Sequence, residues 1–226
     1  MFLAEDGRPL ALTWHYTREE MMADGAVHLL GVALGIAGAV ALAAIATLTH
    51  LGWMERASIL IYAGALVAML GASAAYNMWP VSPRKWILRR LDHAFIYLMI
   101  AGTYTPLIAL VGNGLVAWSL LALIWTVAAV GIAIKLLMPG RWDRLSIVLY
   151  LMLGWSGVLA YESTIAGLSP AAFWMLAVGG LLYSFGVVFH VWRSLPFQNA
   201  IWHAFVLAAA CCHYGTIVTS VLAAGN

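Results

Sequence analysis

The sequence predicts an all-α protein, a bundle of seven transmembrane helices with its N-terminus in the cytoplasm and its C-terminus outside. Three observations lead there. Hydrophobic residues make up 64% of the chain and charged residues only 9%, whereas a soluble domain is about one quarter charged. Windows of roughly twenty mostly apolar residues, the length that crosses a hydrocarbon core, recur seven times along the chain. Lysine and arginine fall almost wholly into alternate connections. A net charge of +2 carried by scattered basic residues excludes nucleic acid as a partner.

The spans cover approximately residues 26–49, 57–79, 92–112, 115–137, 143–163, 169–191 and 200–223. They form one membrane domain, 26–226, behind a cytoplasmic N-terminal segment, 1–25. That segment does not read as a cleaved signal peptide, because Glu5, Asp6 and Arg8 come early and Glu19 and Glu20 follow a short apolar run. Trp14, His15 and Tyr16 are residues that favour headgroup depth. Gly52, Pro80 with Pro83, Gly112 to Gly114, Pro139-Gly140, Ser169-Pro170 and Pro196 punctuate the connections. Small residues four apart, Gly31 with Gly35 and Gly180 with Ser184, mark places where helices can approach closely. Cys211 and Cys212 are neighbours inside an apolar run, a spacing that disfavours a mutual disulfide, so they read as small packing residues.

Orientation follows from the positive-inside bias. Arg8, Arg18, Arg84, Lys85, Arg89, Arg90, Lys135, Arg141, Arg144 and Arg193 all fall on the side of the N-terminus, and Arg56 alone falls on the other. In a bacterium this places the chain in the inner membrane as a multi-pass protein.

Ionisable groups inside a span are costly and tend to be functional or mutually satisfied. Here they gather in one leaflet. Asp24 and His28 start the first span, Ser73 and Asn77 end the second, Asp92 and His93 start the third, His190 ends the sixth, and Asn199 and His203 start the seventh. Taken singly each has an ordinary reading: Asp24 as a helix cap, Asp92 as an ion-pair partner of Arg89 or Arg90, and His93 and His190 as side chains reaching for water. The repeated spacing argues for more. Ser73 and Asn77 share a helix face, as do Asn199 and His203, and Asp92 stands at their depth.

Several stretches resemble the hemolysin III family, the bacterial branch of the progestin and adipoQ receptor family that includes the adiponectin receptors. They are "EEMMADGAVHLLG" (Glu19 to Gly31), "SAAYN" (Ser73 to Asn77), "LDHAFIYLMIAGTYTP" (Leu91 to Pro106) and "AIWHAFVLAAACCHY" (Ala200 to Tyr214). The resemblance implies a seven-helix bundle and a zinc site in the cytoplasmic leaflet. Its histidines would come from Ser-x-x-x-His on the second helix and His-x-x-x-His on the seventh, with an aspartate nearby. In this chain the matching positions are Ser73 and Asn77, Asp92, and Asn199 and His203, so two of three zinc histidines are asparagines.

A neutral amide is a poor zinc ligand, so His203 and Asp92 remain as the metal candidates in a degenerate site. Asn77, Asn199, Ser73, Asp92 and His203 could instead form a hydrogen-bonded network across three helices. Three functions stay open. One is a cytolysis-linked, membrane-homeostasis or lipid-sensing protein whose partner is membrane lipid. Another, implied by the resemblance, is a zinc-dependent hydrolase of ceramide-like lipid amides or esters, with Asp92 and Ser73 as catalytic residues. A transporter ranks last, because the charges sit near one face and no paired broken helices stand out. No helix carries the continuous polar stripe of a water-filled pore.

Overall fold

The computed structural model describes residues 16–138, 140 and 142–225, and among them every regular element is helical. The helices are α1 (Arg18–Leu48), α2 (Trp53–Met78), α3 (Pro83–Val111), α4 (Gly114–Leu137), α5 (Asp143–Leu159), α6 (Tyr161–Thr164), α7 (Pro170–Val191) and α8 (Gln198–Ala224). Six of them, all but α5 and α6, are long and apolar enough to cross a membrane. The headgroup placement expected for Trp14 and His15 lies outside the described residues, as does the break expected at Pro139.

Local chemistry sets the ends. Thr17 and Glu20 form a capping box: the Thr17 hydroxyl accepts from the Glu20 amide at 3.2 Å, and the Glu20 carboxylate accepts from the Thr17 amide at 2.9 Å. α1 therefore begins well before the expected residue 26, and Asp24 lies a turn inside it rather than capping it. Ser82 before Pro83 caps α3, and Ser169 before Pro170 caps α7. Glu20 has a second task. Its other oxygen accepts from the Phe197 amide at 2.9 Å, fastening the start of α1 to the turn that begins α8.

α3 lies at the centre of the bundle. One face of it packs with Leu42, Ile59, Tyr62 and Ile217 from α1, α2 and α8, and another packs with Leu121, Ile124, Ala128 and Leu153 from α4 and α5. Outward positions carry exposed Leu48, Leu115, Leu123, Leu159 and Trp174. So much apolar surface is tolerable only against lipid.

The expected small-residue contacts take a different form. Gly31 faces the side chains of Leu70 and Leu207, and the Gly180 and Ser184 pair seats the Trp155 indole, whose Nε1 donates to the Ser184 hydroxyl at 3.0 Å. Two helices also approach closely at Gly102, where an added Cβ would stand 2.7 Å from that of Ala65.

The fifth expected span, 143–163, is realised as the 17-residue α5 followed by the four-residue α6. Backbone groups freed by such a break must find partners in an apolar setting. Tyr104 of α3 supplies two of them: its hydroxyl accepts from the Gly157 amide and donates to the Gly154 carbonyl, both at 2.8 Å. Thr164 donates to the carbonyls of Gly157 and Ala160 at 2.9 Å. Tyr104→Phe removes the α3 partner and is expected to destabilise the protein by about 1–3 kcal/mol, the usual cost of unsatisfied buried backbone groups. A thermal midpoint in detergent equal to that of the unmodified protein would contradict this role for Tyr104.

Candidate functional site

Three pairs of side chains, each spaced four residues apart, meet at one end of the bundle: Asp24 with His28 on α1, Ser73 with Asn77 on α2, and Asn199 with His203 on α8. Residues four apart stack on one helix face, so each pair reaches inward as a unit. Asp24 is the hub. Its Oδ1 accepts from His203 Nδ1 at 2.7 Å and its Oδ2 from Asn199 Nδ2 at 2.8 Å. Only 4% of Asp24 and 7% of His28 is exposed, so the carboxylate depends on these donors.

The remaining bonds fix the imidazole tautomer and the amide orientations. His28 Nδ1 lies 2.8 Å from the Asp24 carbonyl, which can only accept, so Nδ1 carries the proton and Nε2 is the acceptor. That Nε2 is 3.3 Å from the Ser73 hydroxyl and 3.4 Å from Asn77 Nδ2. Asn77 Nδ2 also donates to the Ser73 carbonyl at 2.9 Å. Asn199 spends its second N–H on Asn77 Oδ1 at 3.0 Å. The two asparagines thus bond directly to each other, and one chain of hydrogen bonds runs from His203 through Asp24, Asn199 and Asn77 to Ser73.

The structure brings Ser73, Asn77, Asn199 and His203 together as the sequence spacing indicates. Asp92 faces Ser73 and lines the adjoining cavity. Sequence reasoning did not find the part played by Asp24 and His28, although both carry the same i, i+4 spacing as the other pairs.

The group best suited to a metal is Asp24, His28 and His203, each offering one ligand atom within 4.8 Å of the others. One carboxylate oxygen and two imidazole nitrogens suit zinc or a similar divalent ion. With both Nδ1 atoms turned toward Asp24, the Nε2 nitrogens of His28 and His203 are the ones left for an ion, and the two rings lie 4.3 Å apart between centroids. The donor set fits.

A second polar cluster stands beside the first. Asp143 at the start of α5 accepts from Arg89 Nη2 at 2.8 Å and from Lys135 Nζ at 2.7 Å. Arg89 is therefore the partner of Asp143, not of Asp92 as the sequence reading allowed. His93 Nδ1 lies 3.9 Å from the same carboxylate. His190 does not reach for water either: it is largely buried, its ring is 4.9 Å from that of Trp202, and its Nδ1 lacks a hydrogen-bond partner among the described residues.

Both clusters open on one cavity of about 620 Å³, within the roughly 300–1,000 Å³ of small-molecule sites. Its lining on α3 includes Arg89, Asp92, Ile96, Met99, Thr103 and Ile108, a helical face about 28 Å long at ~1.5 Å per residue. The end near Arg89 is charged. The far end is mainly apolar, formed by Leu107, Ile108, Val158, Thr164, Ile165 and Phe173, and the His213 and Tyr183 rings, which also line the cavity, are 5.5 Å apart.

Comparison with known proteins places this architecture. The family model described as Haemolysin-III related matches residues 16–214. The chain belongs to the haemolysin III family. A Hemolysin-3 homolog of Bacillus subtilis (strain 168) is 35% identical over 195 residues, covering 86% of this chain and 91% of that one. Hemolysin-3 of Bacillus cereus is 41% identical over 132 residues, 58% of this chain and 60% of that one. The human monocyte to macrophage differentiation factor is 34% identical over 173 residues, 72% of this chain and 70% of that one. No solved structure matches. Within this haemolysin III bundle the Asp24 network holds three helices, so Asp24→Ala is expected to cost about 2–4 kcal/mol, as when a buried charge loses its partners. Ser73→Ala is expected to cost no more than about 1 kcal/mol, a single neutral hydrogen bond. Thermal denaturation in detergent orders the two, and equal losses would remove Asp24 from the hub.

Proposed function

We propose that this haemolysin III protein spans the bacterial inner membrane seven times, with its N-terminus cytoplasmic, and that its cavity holds the hydrocarbon chain of a membrane lipid. The lipid's polar part would then lie against the Asp24, His203 and Asp92 end. One observation carries this reading: a single cavity is charged at one end, apolar at the other, and follows α3 for about 28 Å, close to the ~30 Å hydrocarbon core. Such a cavity suits sensing of lipid, or control of membrane state through it. Proteins named hemolysin among the relatives raise the question of lysis. The apolar far wall argues against a water-filled conduit, and release of dye from liposomes no faster than without protein is the outcome this reading requires.

A second reading, metal-dependent hydrolysis of a lipid amide or ester, is favoured by the Asp24–His203 pair. A carboxylate on Nδ1 fixes the imidazole so that Nε2 is the free nitrogen, the usual arrangement for a metal ligand or proton acceptor. His203 would offer Nε2 to the ion, Asp24 would hold its ring in place through Nδ1, and Ser73 and Asp92 would position the polar part of the substrate. Asp24, His28 and His203 would hold the ion, which supplies Lewis acidity when bound.

Two measurements separate the readings. Mass spectrometry of lipid extracted from purified protein is expected to find about one retained lipid per chain, a site of this size being filled largely by one ligand. Preparations free of retained lipid that also fail to take up lipid from vesicles would end the first reading. Zinc uptake by metal-free protein is expected to weaken at least roughly tenfold in His203→Ala, the scale seen when a metal's ligand shell is disturbed. Absence of zinc uptake by the unmodified protein would remove the hydrolase and leave lipid binding standing.

A further inference from the structure

The cavity is polar at a second level, away from the Asp24 end. His213 stands about 15 Å beyond His203 along α8, at ~1.5 Å per residue, and lines the cavity together with Tyr183 of α7. Residues two apart on a helix point about 200° apart, so an exposed Cys211 turns His213 inward. Glycine makes room for the imidazole: a Cβ added at Gly179 would stand 2.8 Å from His213 Cδ2 and Nε2. The Tyr183 ring lies beside it, tilted by 30°.

Neither side chain is satisfied. His213 Nδ1 is sealed without a hydrogen-bond partner, and among the described residues its Nε2 and the Tyr183 hydroxyl have no partner either. These last two atoms are not sealed, and the space they open on is the cavity. Other polar side chains along the lining are already spent. Thr103 donates to the Met99 carbonyl, Tyr104 and Thr164 hold the break in α5, and Ser184 accepts from Trp155 and donates to the Gly180 carbonyl. No lysine, arginine, aspartate or glutamate acts on either ring. The partner these two groups lack is therefore neutral. A hydroxyl both donates and accepts, so it serves either imidazole tautomer as well as the phenol. A plain methylene chain would cover both groups without bonding to them, and hydrogen bonds left unmade at buried groups are the costly kind.

We propose that His213 and Tyr183 form a subsite for a neutral oxygen, a hydroxyl or a keto group, carried part-way along the chain of the lipid that occupies the cavity. The subsite is separate from the Asp24, His28 and His203 group, and it rests on the lipid-binding reading above. It makes an oxygenated chain, rather than the head, the feature by which the cavity selects its occupant.

The test uses the full chain in phosphatidylcholine nanodiscs and four monoacylglycerols of equal chain length. One acyl chain is unsubstituted, one carries a mid-chain hydroxyl, one a mid-chain keto group, and one a hydroxyl next to the ester carbonyl. Native mass spectrometry gives their affinities. Both mid-chain oxygens are expected to bind about tenfold tighter than the unsubstituted chain, on the scale of one hydrogen bond, and the hydroxyl beside the carbonyl is expected to confer no such gain. Tyr183→Phe and His213→Leu each remove a polar group that has no partner, so both are expected to fold. Each is expected to bring the preference close to unity, while His213→Gln, which keeps a donor and an acceptor, retains most of it. Should His213→Leu fail to fold, Tyr183→Phe decides. Equal affinity for all four lipids means that water serves the two groups, and it overturns the proposal while the lipid-binding reading stands. A preference that survives in Tyr183→Phe and His213→Leu overturns it as well. Failure of all four lipids to bind overturns both.

Discussion

A carboxylate buried among membrane helices must be surrounded by donors, and meeting that need at Asp24 organises the end of the bundle on which everything else depends. Asp24 belongs to α1, the first long helix in the chain, and its donors His203 and Asn199 belong to α8, the last. Their bonds close the bundle. Glu20 repeats the connection a turn earlier by binding the Phe197 amide. Asn199 carries the link on to α2 through Asn77. In an apolar medium these bonds have little competition from water, so they impose register as well as proximity.

The two asparagines take on meaning from that geometry. Each amide gives two donors and one acceptor, and Asn199 spends both donors, one on a carboxylate and one on the Asn77 oxygen. A histidine in either place would offer a single pair of ring nitrogens and a different reach. The network is therefore arranged around amides. The candidate metal ligands correspondingly lie on α1 and α8, where the family resemblance had pointed to α2 and α8.

α3 connects the centre to the cavity. One side of it packs into the two cores while the face from Arg89 to Ile108 is left for the cavity. The opposite wall is α5, which is short and breaks near Gly157 because Tyr104 and Thr164 satisfy its freed backbone groups. A wall made of a short, sparsely packed helix is the place where an elongated cavity is least expensive to form, since fewer apolar contacts are given up there.

Much of this was legible in the sequence. Apolar runs of membrane length, serine and proline at helix starts, and polar residues confined to one leaflet follow from covalent spacing and solvent preference, which a chain carries by itself. The pairs Ser73 with Asn77 and Asn199 with His203 were visible for the same reason. Which partner each polar group takes was not visible. Asp24 resembled a cap, and Arg89 resembled a partner of Asp92. Only the tertiary structure shows that Asp24 faces α8, that Asp143 lies between Arg89 and Lys135, and that Tyr104 reaches the break in α5. Periodicity fixes the face on which a side chain stands, but its neighbour is set by how the helices rotate and pack against one another. Those rotations come from contacts between residues as far apart as Asp24 and His203.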